Sequence, residues 1–163
     1  MITTFKGKYE FLAPAVFCVV EFDHKLYNSA EAAFLSAQYD DKYFRSLFHN
    51  SAFPIWRARE LAKRLQKRRD WSPELSLELM QQITFDKFSR DARLRTKLIA
   101  TLPERIVAEN NWHERFWGRC VCNSRHGKYG TKEACLVPGS NHYGKIVMAV
   151  RAQLAAEALV VAA

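Results

Sequence analysis

Lys87, in Phe85-Asp86-Lys87-Phe88, is the lysine of this sequence that is set between aromatic residues. Burial in such a setting lowers a lysine's pKa and turns an ammonium into a nucleophilic amine. Glu31, Glu109 and Glu114 are the carboxylates that could move protons beside it. Glu31 has a structural explanation as well: Asn28 followed three residues later by Glu31 fits a helix N-cap with a capping box.

A second group of residues could hold phosphate. Gly139-Ser140-Asn141-His142-Tyr143-Gly144-Lys145 matches the opening positions of a P-loop, but Ile146 stands where Ser or Thr must meet magnesium. No buried strand precedes the loop, which argues against a nucleotide triphosphatase. Glycine flexibility, helix-start amides and Lys145 still suit a phosphate bound without metal. Lys63, Arg64, Lys67, Arg68 and Arg69 form a basic run beside Trp71, a pattern that suits phosphates and stacked bases and that a solvated helix face explains equally.

Cys120 and Cys122, with Cys135, His126 and His142 nearby, invite a zinc reading. Zinc pairs favour gaps of roughly two to four residues, so the single-residue gap argues against it and no metal is expected.

These groups need elements to position them. Aromatic and β-branched residues between Phe5 and Asp23, broken by Pro14, predict a small N-terminal β element. Helices are expected from Asn28 as cap, from about Ile55 to Lys67, from Ser72-Pro73 onward, from Asp91 to before Pro103, and from about His142 to Ala158. Ile106 to Glu109 fits one short strand, and residues 119–140 read as a long glycine-bearing loop. The expectation is one domain over residues 1–163, α+β and predominantly α-helical.

The bulk numbers agree with that frame. A chain of 163 residues, 48% hydrophobic and 13% aromatic, can bury a core, which excludes disorder and fibrous repeats. Lys plus Arg total 25 against 17 acidic residues, a formal charge of +8, so the partners should be anionic. The longest apolar runs fall short of the roughly 18 residues a membrane span needs, and no secretion signal precedes Cys18. A soluble protein of a reducing compartment is expected: cytoplasmic, or nuclear in a eukaryote.

Taken in order, Asn28-Ser29-Ala30-Glu31-Ala32-Ala33-Phe34, Arg69-Asp70-Trp71, Met80, Lys87-Phe88, Leu98 with Thr101, Glu109-Asn110 with Trp112, Trp117-Gly118 and Asn141-x-x-Gly144-Lys145-x-x-Met148-x-x-Arg151 resemble the NADAR family, also called YbiA-like. The resemblance runs from about Phe5 to Leu154. It implies an N-glycosidase without a cofactor, acting either on ADP-ribose joined to guanine in nucleic acid or on phosphoribosylamino pyrimidine intermediates of riboflavin synthesis. In both substrates ribose C1 carries an exocyclic amine, so the sugar can open to an imine that a lysine could intercept.

Under that resemblance Lys87 would be the nucleophile, with Glu31 and Glu114 as the other catalytic groups. Asn28, Trp71, Glu109, Trp117, Gly118, Asn141, Gly144 and Lys145 would bind ligand, with the amides after Asn141 receiving a diphosphate. The basic run at Lys63 to Arg69 would meet nucleic acid, and a DNA ADP-ribosyltransferase would be the counterpart of an antitoxin-like enzyme. One departure stands out: where the family usually continues Phe-Leu with Ser-Asn-Phe, this chain has Ala13-Pro14-Ala15. That change also motivates a reading as a non-catalytic module that binds ADP-ribose or an NAD derivative.

Overall fold

The computed structural model describes residues 1–49, 54–122 and 139–161. Among the described residues six α-helices carry the fold: α1 (Ala30–Ala37), α2 (Lys42–Ser46), α3 (Ile55–Arg64), α4 (Pro73–Arg90), α5 (Ala92–Ile99) and α6 (His142–Val161). Two small sheets accompany them. β1 (Val20–Phe22) pairs antiparallel with β2 (Lys25–Tyr27), and β3 (Glu109–Asn110) pairs parallel with β4 (Arg119–Cys120). This is an α+β fold dominated by helix.

The central element is α4, which packs against α1, α5, α6 and β1. Its start follows from local chemistry: the Ser72 hydroxyl accepts the Leu75 N–H at 3.1 Å, and Pro73 needs no hydrogen-bond partner at the first helical position. Asp91 ends α4 and caps α5, taking the Arg93 and Leu94 amides at 2.8 and 3.3 Å. Along α4, Met80, Ile83, Thr84, Lys87 and Phe88 are all buried. They recur at helical spacing, so a lysine occupies a position of the apolar stripe.

The last helix closes the domain. Val147, Val150 and Leu154 are fully or almost fully buried. Arg151 Nη1 donates to Thr101 O, Thr101 Oγ1 and Glu104 O at 3.1, 2.9 and 2.8 Å, tying α6 to the turn after α5. Among the described residues no helix is long and apolar enough to cross a membrane.

Several expectations shift. The segment Gly7–Leu12 is a 3-10 helix, and the N-terminal β element lies further on, as the β1–β2 hairpin. Its turn is Asp23-His24, both at positive φ (50° and 58°), as a two-residue hairpin turn that matches strand twist requires. The cap of α1 is Ser29 and not Asn28, because the Asn28 carbonyl still accepts the Cys18 N–H at 2.9 Å as extended chain. Glu31 therefore sits one position short of a capping box. Helix α3 stops at Arg64, with Leu65 extended. The expected loop at 119–140 opens with β4, and residues 123–138, with His126 and Cys135, lie outside the described residues.

Gly144 shows how tightly α6 docks. A Cβ there would meet Asn141 Oδ1 at 2.5 Å and the Ile106 carbonyl at 2.6 Å. Gly144→Ala is therefore expected to lose about 1–3 kcal/mol of stability, read as a lowered midpoint in urea unfolding.

Candidate active site

Three consecutive carbonyls organise the site. Leu12 O accepts the Tyr143 hydroxyl at 2.8 Å, Ala13 O accepts Lys87 Nζ at 2.7 Å, and Pro14 O accepts the Glu31 N–H at 2.9 Å. The segment that departs from the family pattern is thus stapled by α6, α4 and α1 through groups that need only its backbone.

Lys87 is fully buried at 0% exposure, with Nζ also 5.0 Å from the Phe88 ring centroid. Among the described residues no carboxylate lies within ion-pair distance of it. Burial lowers its pKa from 10.5 to about 8, against an opposing influence of the neighbouring Cys18. The Cys18 thiol is itself raised by burial and partly lowered again by Lys87, so it stays protonated beside the amine at neutral pH. A neutral Lys87 can donate one N–H to Ala13 and keep its lone pair for an electrophile.

The Glu31 carboxylate is held by Arg59 in a two-pronged pair, Nε at 2.5 Å and Nη2 at 2.7 Å. Arg59 comes from α3, so the pair ties the basic helix to α1. Burial raises the Tyr143 phenol far above its ordinary value, and the charges of Cys18 and Glu31 push it the same way. Tyr143 and Cys18 are site residues for which sequence reasoning found no role. Tyr143 lay inside the Asn141 to Lys145 motif, whereas nothing in the sequence around Cys18 marks it.

Aromatic rings continue the site outward. Phe34 on α1 sits between Trp71 at 5.6 Å and Trp117 at 5.3 Å, and Lys67 Nζ lies 5.4 Å from the Trp71 ring. Asn28 is half-buried, and its carbonyl is engaged by Cys18. Glu109 lies in β3 opposite Arg119.

The remaining expected groups hold the scaffold. Both Glu114 oxygens accept loop amides, Oε1 from Phe116 and Trp117 at 2.8 Å and Oε2 from Gly118 at 2.7 Å, so this carboxylate shapes the turn. A side chain at Gly118 would strike the Ala108 carbonyl and come within 2.9 Å of Asn110 Nδ2. Asn141, at positive φ, uses its amide to grip Ala108 N (2.8 Å) and Ile106 O (3.1 Å).

The amides at the start of α6 are engaged within the fold. The amides of Ser140, Asn141, His142 and Tyr143 already donate to the carbonyls of Arg115, Gly118, Phe116 and Trp117, at 2.7, 3.1, 3.3 and 2.9 Å. These are the N–H groups a diphosphate would need. Lys145 is exposed on the next turn.

The basic run is not one helix face. Only Lys63 and Arg64 belong to α3. Lys63 pairs with Glu60 at 2.7 Å and Arg68 with Asp70 at 2.5 Å, while Arg64, Lys67 and Arg69 are exposed.

A helix-rich α+β domain built round a buried lysine, with a paired glutamate and a wall of aromatics, defines a class. The NADAR domain pattern matches residues 4–155, and the chain belongs to that family. It is similar to the N-glycosidase YbiA of Escherichia coli (strain K12), 27% identical over 139 residues that cover 85% of this chain and 77% of the relative. The N-glycosidase YbiA of Shigella boydii serotype 4 matches to the same extent. The solved solution structure of the E. coli protein YbiA superposes with a TM-score of 0.74 at 24% identity, covering 97% of this chain and 85% of that one.

The buried lysine has a thermodynamic signature. Between about pH 8 and 10.5 the folded chain holds Lys87 neutral while the unfolded chain keeps it protonated, so folding releases a proton and stability rises with pH through that window. Below it the buried charge costs about 3 kcal/mol. Lys87→Met loses the Ala13 hydrogen bond, worth about 1 kcal/mol, and is expected to be the more stable protein at pH 7 by about 1–2 kcal/mol. Urea unfolding at pH 7 and pH 9.5 should show that advantage shrinking as the pH rises.

Proposed function

We propose that this chain is an N-glycosidase that releases a nucleobase from ADP-ribose attached through the base's exocyclic amine, guanine in DNA being the base. The observation that carries the reading is Lys87: a buried amine, lowered to about pKa 8 by desolvation, with no carboxylate paired to it among the described residues. Such an amine is a nucleophile near neutral pH. Membership of the NADAR family and similarity to relatives named N-glycosidase support the reaction class.

In the proposed course the ribose ring opens, O4′ gaining a proton as C1 and the exocyclic nitrogen form an iminium. The Lys87 amine adds to C1, and Glu31, oriented by Arg59, takes the proton that the amine sheds. Glu31 returns that proton to the base nitrogen, and the C1–N bond breaks to leave a lysyl iminium. Water adds at C1, the lysine departs as amine, and the sugar recloses. The net change is consumption of one water. In this course the sugar displaces the Ala13 carbonyl from the Lys87 amine, and the Trp71, Phe34 and Trp117 wall receives the base.

Exposed Arg64, Lys67 and Arg69 favour a polymeric substrate, since each contacted phosphate rewards a cation. Replacing all three with Ala is expected to weaken binding of a modified oligonucleotide and to flatten its salt dependence by roughly two to three in log–log slope, measured by fluorescence anisotropy. The reaction that makes such a substrate is ADP-ribosyl transfer to DNA.

A specific observation favours the phosphoribosylamino pyrimidine as a second substrate class: Lys63 and Arg68 are already neutralised by Glu60 and Asp70, which thins the patch a polymer would use. The deciding experiment offers both substrates to the purified protein with borohydride present. Cleavage should rise with pH and level off above about 8 as Lys87 loses its proton, and the reduced adduct should map to Lys87 by mass. Lys87→Ala should bind but not turn over. An unmodified protein after reduction overturns the imine route, and binding of ADP-ribose without any cleavage assigns the chain as a reader.

A further inference from the structure

Beyond the Lys87 site, a second cluster of reactive side chains lies beneath the β3–β4 sheet. Cys120 Sγ and Cys122 Sγ are 3.0 Å apart, and His113 Nδ1 is 3.4 Å from Cys122 Sγ. All three donor atoms lie within 4.8 Å of one another, and both thiols are buried, at 5% and 9% exposure. We propose that His113, Cys120 and Cys122 form a zinc site, supplying three of the four ligands of a tetrahedral ion.

The single-residue gap between the cysteines, which counted against zinc in the sequence, is what an extended strand requires. Gaps of roughly two to four residues suit turns and helices, whereas successive strand residues point to opposite faces. Cys120 closes β4 and Cys122 follows two residues on, so both sulfurs fall on the buried side while Val121 between them is 47% exposed. His113 comes from the turn between the strands, at φ 67°, a left-handed conformation uncommon outside glycine that aims its ring at the sulfurs.

The donor set fits the metal. Two thiolates and an imidazole are borderline-soft ligands that select zinc over magnesium or calcium. With Zn–S near 2.3 Å and Zn–N near 2.0–2.1 Å, a tetrahedral ion needs sulfurs about 3.8 Å apart and S···N about 3.5 Å. The Cys122 Sγ···His113 Nδ1 separation of 3.4 Å is already close to this, the sulfurs need to spread by less than about 1 Å from 3.0 Å, and Cys120 Sγ lies within 4.8 Å of the ring, so small side-chain rotations complete the geometry. Binding releases the two thiol protons.

The position gives the ion a task. It ties residue 113 to residues 120 and 122, the two ends of the loop whose carbonyls at 115–118 receive the first amides of α6 and whose Trp117 meets Phe34. Loading the site therefore stiffens the platform on which the aromatic wall stands.

The test uses the full chain, reduced and stripped with chelator, titrated with Co2+ and then Zn2+. The expected result is one equivalent of Co2+ giving strong visible bands of tetrahedral geometry together with thiolate-to-metal charge transfer, both erased by Zn2+. The same Zn2+ should raise the melting temperature. This titration reads the ligand set without any substitution. Cys122→Ser and His113→Gln should each weaken Co2+ binding by about a hundredfold or more, and Val121→Ser should leave it unchanged. Weak octahedral bands, parent-like binding by Cys122→Ser or His113→Gln, or a Cys120–Cys122 disulfide that forms in air as readily with Zn2+ as without it would each overturn the assignment.

Discussion

An amine with no counter-ion among the described residues, set inside an apolar stripe, governs much of this domain. Lys87 could have been satisfied by a carboxylate, which would have kept it protonated. It meets instead the backbone carbonyl of Ala13 and a neutral thiol, so it releases its proton more readily than a free lysine does. The neighbouring carbonyls of Leu12 and Pro14 are held by Tyr143 and Glu31. The chain around Ala13 is thereby fixed by three helices at once, and the strongest demand on its side chains is that they not obstruct. That is a physical reason why Ala-Pro-Ala is tolerated where the family usually has polar residues: the backbone supplies the contacts.

A second layer of organisation supports the first. The turn at 114–118 is built round one carboxylate, Glu114, which gathers three amides. Its carbonyls then receive the amides of residues 140–143. Asn141 bolts that junction to Ala108 and Ile106, and Gly144 lets the parts approach. Polar residues of this motif thus satisfy backbone groups that would otherwise be stranded in the interior, where an unmet amide or carbonyl is expensive. Trp117 rides on the same turn and is delivered against Phe34 by it.

How much of this was legible depends on the range over which each determinant acts. Ser72-Pro73 and Asp91 act within a few residues, and both marked their helices correctly. Lys87 stood out through its aromatic neighbours, and its spacing from Met80 and Ile83 agrees with burial. The cap of α1 shifted by one because a strand-like contact from Cys18 to Asn28, ten residues away in sequence, outweighed the local preference. The start of α6 looked like a phosphate loop because glycines and a lysine at that spacing describe two physical situations, open amides or amides filled by another loop, and only the partner segment distinguishes them. The spacing of Cys120 and Cys122 is ambiguous for a similar reason: ligand spacing depends on backbone conformation, which the residue types in a glycine-bearing stretch do not reveal.

The bond from Tyr143 to Leu12 joins residues 131 apart in sequence, and that from Lys87 to Ala13 joins residues 74 apart. Closing such wide loops contributes nothing until both ends exist, so these contacts place a long-range event late in assembly. On the ribosome the segment around Leu12 to Pro14 emerges first among its partners, waits through the synthesis of α4, and finds its last anchor only when the first turn of α6 is made. The segment that covers the Lys87 amine consequently gains its full set of anchors only after the first turn of α6 has been made.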